Sequence, residues 1–275
     1  MHLDVVDLRA FYYRTKLGRM AQRVLQEELR RLWPETKHMT VAGFGFANPF
    51  LRPFLPDSRR VISLMPGQQG VMPWPQGVPN HSVLVEETSW PLSAGSVDRL
   101  IIAHGLETCE RANALMEEVN RVLAPGGYAV FIVPNRSGIW ARRETTPFGY
   151  GRPYSTGQVE TLLRKHGFVP ERHSAALYTP PSHKRFWLRT DRIWEGLGRR
   201  LDLQMLAGTL LVEASKQVYA TPNRGKPLTV PGPLEVFEGL TQPKPKPATG
   251  RSAGRVVGRQ VRPGVGGKVR TRLNV

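Results

Sequence analysis

The stretch "WPLSAGSVDRLIIAHGLETCERANALMEEVNRVLAPGGYAVFIVPN", residues 90–135, decides the fold. "VDRLIIAH", 97–104, is apolar enough to be a strand buried on both faces, the habit of parallel sheets. From 107 to 123 the period changes. Ala112, Leu115, Val119, Val122 and Leu123 fall on one side of a helix. "APGG" ends it, Gly126 and Gly127 supplying the left-handed backbone of a helix stop. "YAVFIVPN" is apolar again and reads as the next strand. Strand, crossover helix and strand make one unit of a parallel α/β sheet.

The same alternation extends in both directions. Residues 7–33 read as a helix broken at Gly18 and ended before Pro34. "MTVAGFG", 39–45, is a short strand running into a glycine turn. Asn48 caps a short helix with Pro49 in its first turn, and Pro53 limits its length. "RRVISLM" is a second strand. The segment 66–81, "PGQQGVMPWPQGVPNH", is too rich in Pro and Gly to be a crossover helix. "SVLVEE" is a third strand. After an irregular loop at 136–154, Ser155 and Gln158 form a capping box for a helix over 156–166, stopped at Gly167. "FVPERHSAALY" is a sixth strand region, 185–201 is helical, and "GTLLVEASKQVYA" is the last strand. The expected fold is α/β and Rossmann-like: a seven-stranded, mostly parallel sheet with helices on both faces and an antiparallel hairpin at its C-terminal end. Ligands of such sheets bind beyond the carboxyl ends of the strands. The tips at 43–47, 65–66, 86–90, 104–107 and 134–135 are therefore the places for a site.

The run 90–135 resembles the class I S-adenosylmethionine-dependent methyltransferases, in particular the group with a methyltransferase type 11-like domain. The resemblance is carried by Trp90-Pro91-Leu92, Ser96-Val97-Asp98, Ala103-His104 and Glu118 through Arg121 to Gly127. It covers residues 40–135 well and 136–220 loosely. It implies S-adenosylmethionine as cofactor and methyl transfer to an acceptor as activity, the acceptor being unidentified. It implies cofactor contacts at Gly43, Gly45 and Ala47 in the glycine turn, at Met65 ending the second strand, at Glu86 ending the third, and at Tyr13 in the N-terminal helix. His104, at the tip of the fourth strand, is placed near the reacting methyl, as a cofactor contact and as the catalytic candidate. Two carboxylates usual in the family are absent. Val41 stands two residues before the first glycine, and Met65 stands where an acid would hold the ribose. Losing a hydroxyl bond to a charged acceptor weakens binding by about 1.5–3 kcal/mol. An alternative therefore stands beside the enzyme: a catalytically degenerate methyltransferase-fold protein that binds or scaffolds.

The loop after the fifth strand alternates aromatics with arginines. Trp140, Tyr150, Arg152 and Tyr154 are the expected acceptor contacts, since such a mixture grips planar or anionic groups. His166 and His173 do not have metal-ligand spacing, and no metal is expected.

The net charge is +17, and its distribution divides the chain. Residues 222–275 hold 11 Lys/Arg against 2 acids, with 17 Pro and Gly in 54 positions. That composition suits a disordered basic tail. Two regions follow: a methyltransferase-like domain at 1–221 and the tail at 222–275, suited to RNA or another polyanion. Cys109 is the only cysteine, so no internal disulfide forms. With no secretory pattern and no membrane span, a cytoplasmic location is expected.

Overall fold

The computed structural model describes residues 4–217, His183 and Asp202 excepted. The tail expected at 222–275 lies outside the described residues. Seven strands form one sheet in the order β3-β2-β1-β4-β5-β7-β6. They are β1 (Thr40–Gly45), β2 (Arg60–Pro66), β3 (Ser82–Val85), β4 (Val97–Ala103), β5 (Leu123–Pro134), β6 (Phe168–Ala176) and β7 (Thr209–Lys216). β1 to β5 pair in parallel, and β7 runs antiparallel to both β5 and β6. The first tips all fall at one end of the sheet. The chain order reverses between β1 and β4, which makes that junction the switch point.

Alternation along the central strands sends side chains into two cores. Ile101, Val130 and Ile132 join one with the N-terminal helix. Leu100, Ile102, Phe131 and Val133 join the other with α4 (Ala112–Val122) and α5 (Thr156–Lys165). The capping box of α5 is present, with Ser155 and Gln158 each bonded to the other's backbone. No helix covers residues 67–81, as its Pro and Gly content implies. β3 lies at the edge of the sheet, with Val83 and Leu84 open to solvent.

Three expectations need correction. The N-terminal helix does not break at Gly18. It divides at Thr15, between a π-helical turn at Ala10–Arg14 and α2 (Lys16–Leu32), and Thr15 caps α2 by accepting from the Gly18 amide. Gly18 is needed because any Cβ there would strike the Phe11 carbonyl. The helix expected from 107 starts at Ala112, since 104–108 form the turn at the tip of β4. β5 begins at Leu123, so "APGG" is part of an irregular strand, with a register shift against β4.

The motif at 90–127 holds the scaffold together. The Glu118 carboxylate accepts from the Trp90 amide at 2.6 Å, and Arg121 donates to Glu118 and to the carbonyls of Trp90 and Leu92. Trp90 stacks on Phe44 of β1. Asp98 accepts from the Thr40 amide at 2.7 Å, fixing the start of β1 beside β4.

Candidate active site

The glycines of the β1 turn serve contacts of the protein with itself. Gly45 has φ +80°, and a Cβ there would collide with the Ala103 carbonyl and crowd Gly105. A Cβ at Gly43 would lie 2.6 Å from that of Ala47 and close to Leu51. Ala47 thus packs α3 (Asn48–Leu51) against the strand. Both glycines, Ala47 and Phe46 are buried. Met65 has no exposed surface, and its sulfur lies 3.8 Å from the Asn48 amide nitrogen.

The segment that covers these tips is the N-terminal one. α1 (Val5–Arg9) passes into the π-helical turn, which presents Tyr12 inward. Tyr12 is fully buried, stacked on Phe46 at 5.9 Å and edge-on to Phe50 at 5.5 Å. Its hydroxyl lies 2.6 Å from His104 Nε2. Burial, reinforced by the nearby Glu107 charge, raises the Tyr12 phenol well above its ordinary range, so it stays a neutral O–H. Phe148 closes another side, 4.9 Å from the His104 ring and against Trp140. The Val5 amide donates to the Gln69 carbonyl at 2.7 Å, tying this segment to the 66–81 loop.

Beneath Tyr12 lies a group of buried polar atoms. His104 is 2% exposed and sits at φ +52°, a conformation that non-glycine residues seldom adopt. Its Nδ1 is 3.2 Å from a Glu107 oxygen, but not aligned for a hydrogen bond. Among the described residues, neither Glu107 oxygen has a hydrogen-bond partner, nor does Gln69 Oε1. The Gln69 amide nitrogen donates to the His104 carbonyl. Each buried polar group without a partner costs about 1–3 kcal/mol. A concentration of them at one strand tip therefore needs a reason beyond packing.

The remaining candidates scatter. Tyr13 is half-buried, its phenol raised to about 12 by burial, with Arg52 and Arg9 opposing. It lines a cavity of about 160 Å³ with Arg9, Arg14, Arg52, Met72, Trp74 and Gln76. Glu86 is exposed at the end of β3, bridged to Ser89. Trp140 is a core residue, 1% exposed, whose indole donates to the Thr179 carbonyl. Tyr150 and Tyr154 are half-buried and Arg152 exposed; the Arg152 amide donates to the Glu107 carbonyl, which brings this part of the loop to the tip of β4. Burial raises the Tyr154 phenol, and Glu107 adds to the effect. Cys109 is buried 3.5 Å from Glu87, and burial pushes its thiol up to about 12, so it is no nucleophile. Among the described residues, no cluster of His, Cys, Asp or Glu could hold a metal, and no helix is long and apolar enough to cross a membrane. Tyr12, rather than the expected Tyr13, is the tyrosine that reaches His104.

Residues 75–131 match the family model described as a methyltransferase domain. No curated protein sequence matches the chain. Among solved structures, the chain is similar to a methyltransferase in complex with the Haloferax volcanii Trm112 methyltransferase activator. The identity is 14%, with 78% of this chain and 97% of that one covered, at a TM-score of 0.54. It is also similar to a SAM-dependent methyltransferase from Archaeoglobus fulgidus, at 17% identity, with 71% and 94% covered and a TM-score of 0.51. At such identities the structural likeness speaks for the fold. The family implies S-adenosylmethionine as cofactor. The tips do not fit it: Tyr12, Phe46, Met65 and Phe148 occupy the ground beside the glycine turn with almost no accessible surface. The matched segment is thus that of a methyltransferase domain, and the sheet around it has the fold of these methyltransferase structures.

Proposed function

We propose that the chain is a methyltransferase whose residues 4–14 cover the strand tips and must move aside to admit the cofactor. The observation that carries this reading is the partnerless polar group beneath Tyr12: His104 Nδ1, the Glu107 carboxylate and Gln69 Oε1. A pocket given over wholly to packing has no use for a buried carboxylate without a hydrogen-bond donor. The left-handed backbone at His104 and the π-helical turn under Tyr12 support it, since such departures gather at functional sites.

His104 is the proposed catalytic group. Glu107 favours the tautomer with the proton on Nδ1, which leaves Nε2 free to accept a proton from an acceptor hydroxyl or amine. The Tyr12 hydroxyl now stands in that place. Once the segment has moved, Gly43, Gly45, Ala47, Met65, Glu86 and Tyr13 are the proposed cofactor contacts. Tyr150, Arg152 and Tyr154 are the proposed acceptor contacts. Trp140 supports Phe148 from behind rather than meeting the acceptor. A cytoplasmic setting, and a polyanion such as RNA bound by 222–275, complete the proposal; the tail's charge is its support.

The second reading, a degenerate methyltransferase-fold binding or scaffolding protein, is favoured by Val41 and Met65, apolar and fully buried where the family places acids. Calorimetric titration with S-adenosylmethionine separates the two. The Tyr12→Ala variant, with the plug removed, should bind more tightly than the unaltered chain. No heat from either folded protein at millimolar cofactor would leave only the second reading.

A further inference from the structure

Between β6 and β7 the chain makes an excursion, residues 177–208, that contains α6 (Arg185–Arg189) and α7 (Asp191–Arg200). Ala176 and Thr209 pair with each other, and Thr209 pairs with Pro134 at the end of β5. The excursion therefore rises from the same end of the sheet as the candidate active site. It is anchored there by bonds from Asn135 to the carbonyls of Gln204 and Ala207, and from Trp140 to that of Thr179.

Its outer surface is unusual for a soluble domain. Phe186, Ile193 and Met205 are 63%, 67% and 74% exposed, and Leu197, Leu201 and Leu206 are exposed beside them. Single exposed apolar residues are ordinary, but a group on one short excursion marks an interaction surface. Among the described residues, the exposed charges around it have one sign. Lys184, Arg189, Arg192 and Arg200 are exposed. Both acids of α7 are withdrawn: Asp191 is buried in an ion pair with Arg23 of α2, and Glu195 is buried with its carboxylate accepting from the Tyr178 amide. Burial pushes the Glu195 carboxyl up to about 7, the backbone N–H groups opposing, which further thins the negative charge here.

We infer that this excursion is a lipid-docking element that seats the active-site end of the sheet on an anionic bilayer surface. Bulky apolar residues that enter the acyl boundary, ringed by arginines that meet anionic headgroups, are the chemistry of an interfacial helix. A protein partner would leave the one-signed ring without a function unless it were itself acidic. A second copy of this chain would bring cation against cation.

Two tryptophans make the inference testable. Trp187 and Trp194 are half-buried on the excursion, their rings 5.4 Å apart, whereas Trp33, Trp74, Trp90 and Trp140 are all buried. The full chain should cosediment with phosphatidylglycerol-containing vesicles and not with pure phosphatidylcholine, and its tryptophan emission should shift to the blue. Ile193→Ser with Leu197→Ser, both exposed and so neutral to folding, should weaken cosedimentation by about tenfold or more and remove the blue shift. Arg189→Glu with Arg192→Glu should do the same through charge. Cosedimentation that survives both pairs without a blue shift would place the binding in the basic tail and overturn the inference. A dimer of the unaltered chain in vesicle-free solution that the serine pair converts to monomer would also overturn it, by making the face a protein interface.

Discussion

Glu213 and Glu107 are both buried glutamates, one towards each end of the sheet, and they are treated in opposite ways. Glu213 of β7 is 1% exposed and surrounded by donors. Trp33 donates to it at 2.7 Å, and Arg172 grips both oxygens while also reaching the Leu32 carbonyl. Glu107, at the tip of β4, has a neighbour in His104 but no aligned hydrogen bond among the described residues. The difference separates burial that organises a fold from burial that holds chemistry in reserve. Glu195 is an intermediate case, with backbone amides among its partners.

The comparison is open to attack by substitution. Glu213→Ala should have the largest effect, a loss of about 3 kcal/mol in denaturant unfolding, since it strands the Trp33 donor and the Arg172 guanidinium together. A loss under about 1 kcal/mol would mean that the cluster is solvated and the contrast unfounded.

Glu195 sharpens the case through pH. Burial holds its carboxyl at about 7 against an ordinary 4.5, so the folded chain keeps a proton that the unfolded chain gives up between those values. This contribution to stability is complete below about 4.5 and fades as pH rises to about 7, by roughly 3 kcal/mol. Glu28 shifts in the same direction. Melting curves across this window should therefore flatten in Glu195→Gln; an unchanged slope would assign the effect to other groups.

Glu107→Gln should change stability least, by under about 1 kcal/mol in either direction, because few interactions are there to lose. The same substitution should depress activity or ligand binding. If it destabilises the chain as much as Glu213→Ala does, Glu107 is structural and the proposed role of His104 loses its support.

The two parts of the molecule were also unequally legible. The run 90–135 announces its strand, helix and strand because apolar spacing there is dictated by two cores and little else. Its motif residues, Trp90, Asp98, Glu118 and Arg121, turn out to clamp the scaffold, which is why they identify a fold better than a function. The missing helix at 67–81 was equally readable from its prolines and glycines. The site was legible only as a location. His104 and the glycine turn stand where the strand order puts them. The reading chose Tyr13, however, and the residue that reaches His104 is Tyr12. The π-helical turn widens the helix by one residue and so rotates its phase, which a 3.6-residue period cannot anticipate. Gln69 and Phe148 arrive from irregular loops that carry no period at all. Gly45 likewise looked like an opening for a ligand, whereas it gives β4 room to approach.

The bond from the Val5 amide to the Gln69 carbonyl makes a latch of the N-terminal segment and its facing loop. Under the proposed movement of residues 4–14, an occupant of the strand tips must first spring it, so the measured Kd equals the intrinsic Kd divided by the unlatched fraction. A latch worth about 3 kcal/mol would make a tight chamber look more than about a hundredfold weaker. Substitutions in α1, remote from any ligand atom, would then retune affinity as strongly as changes in the chamber wall.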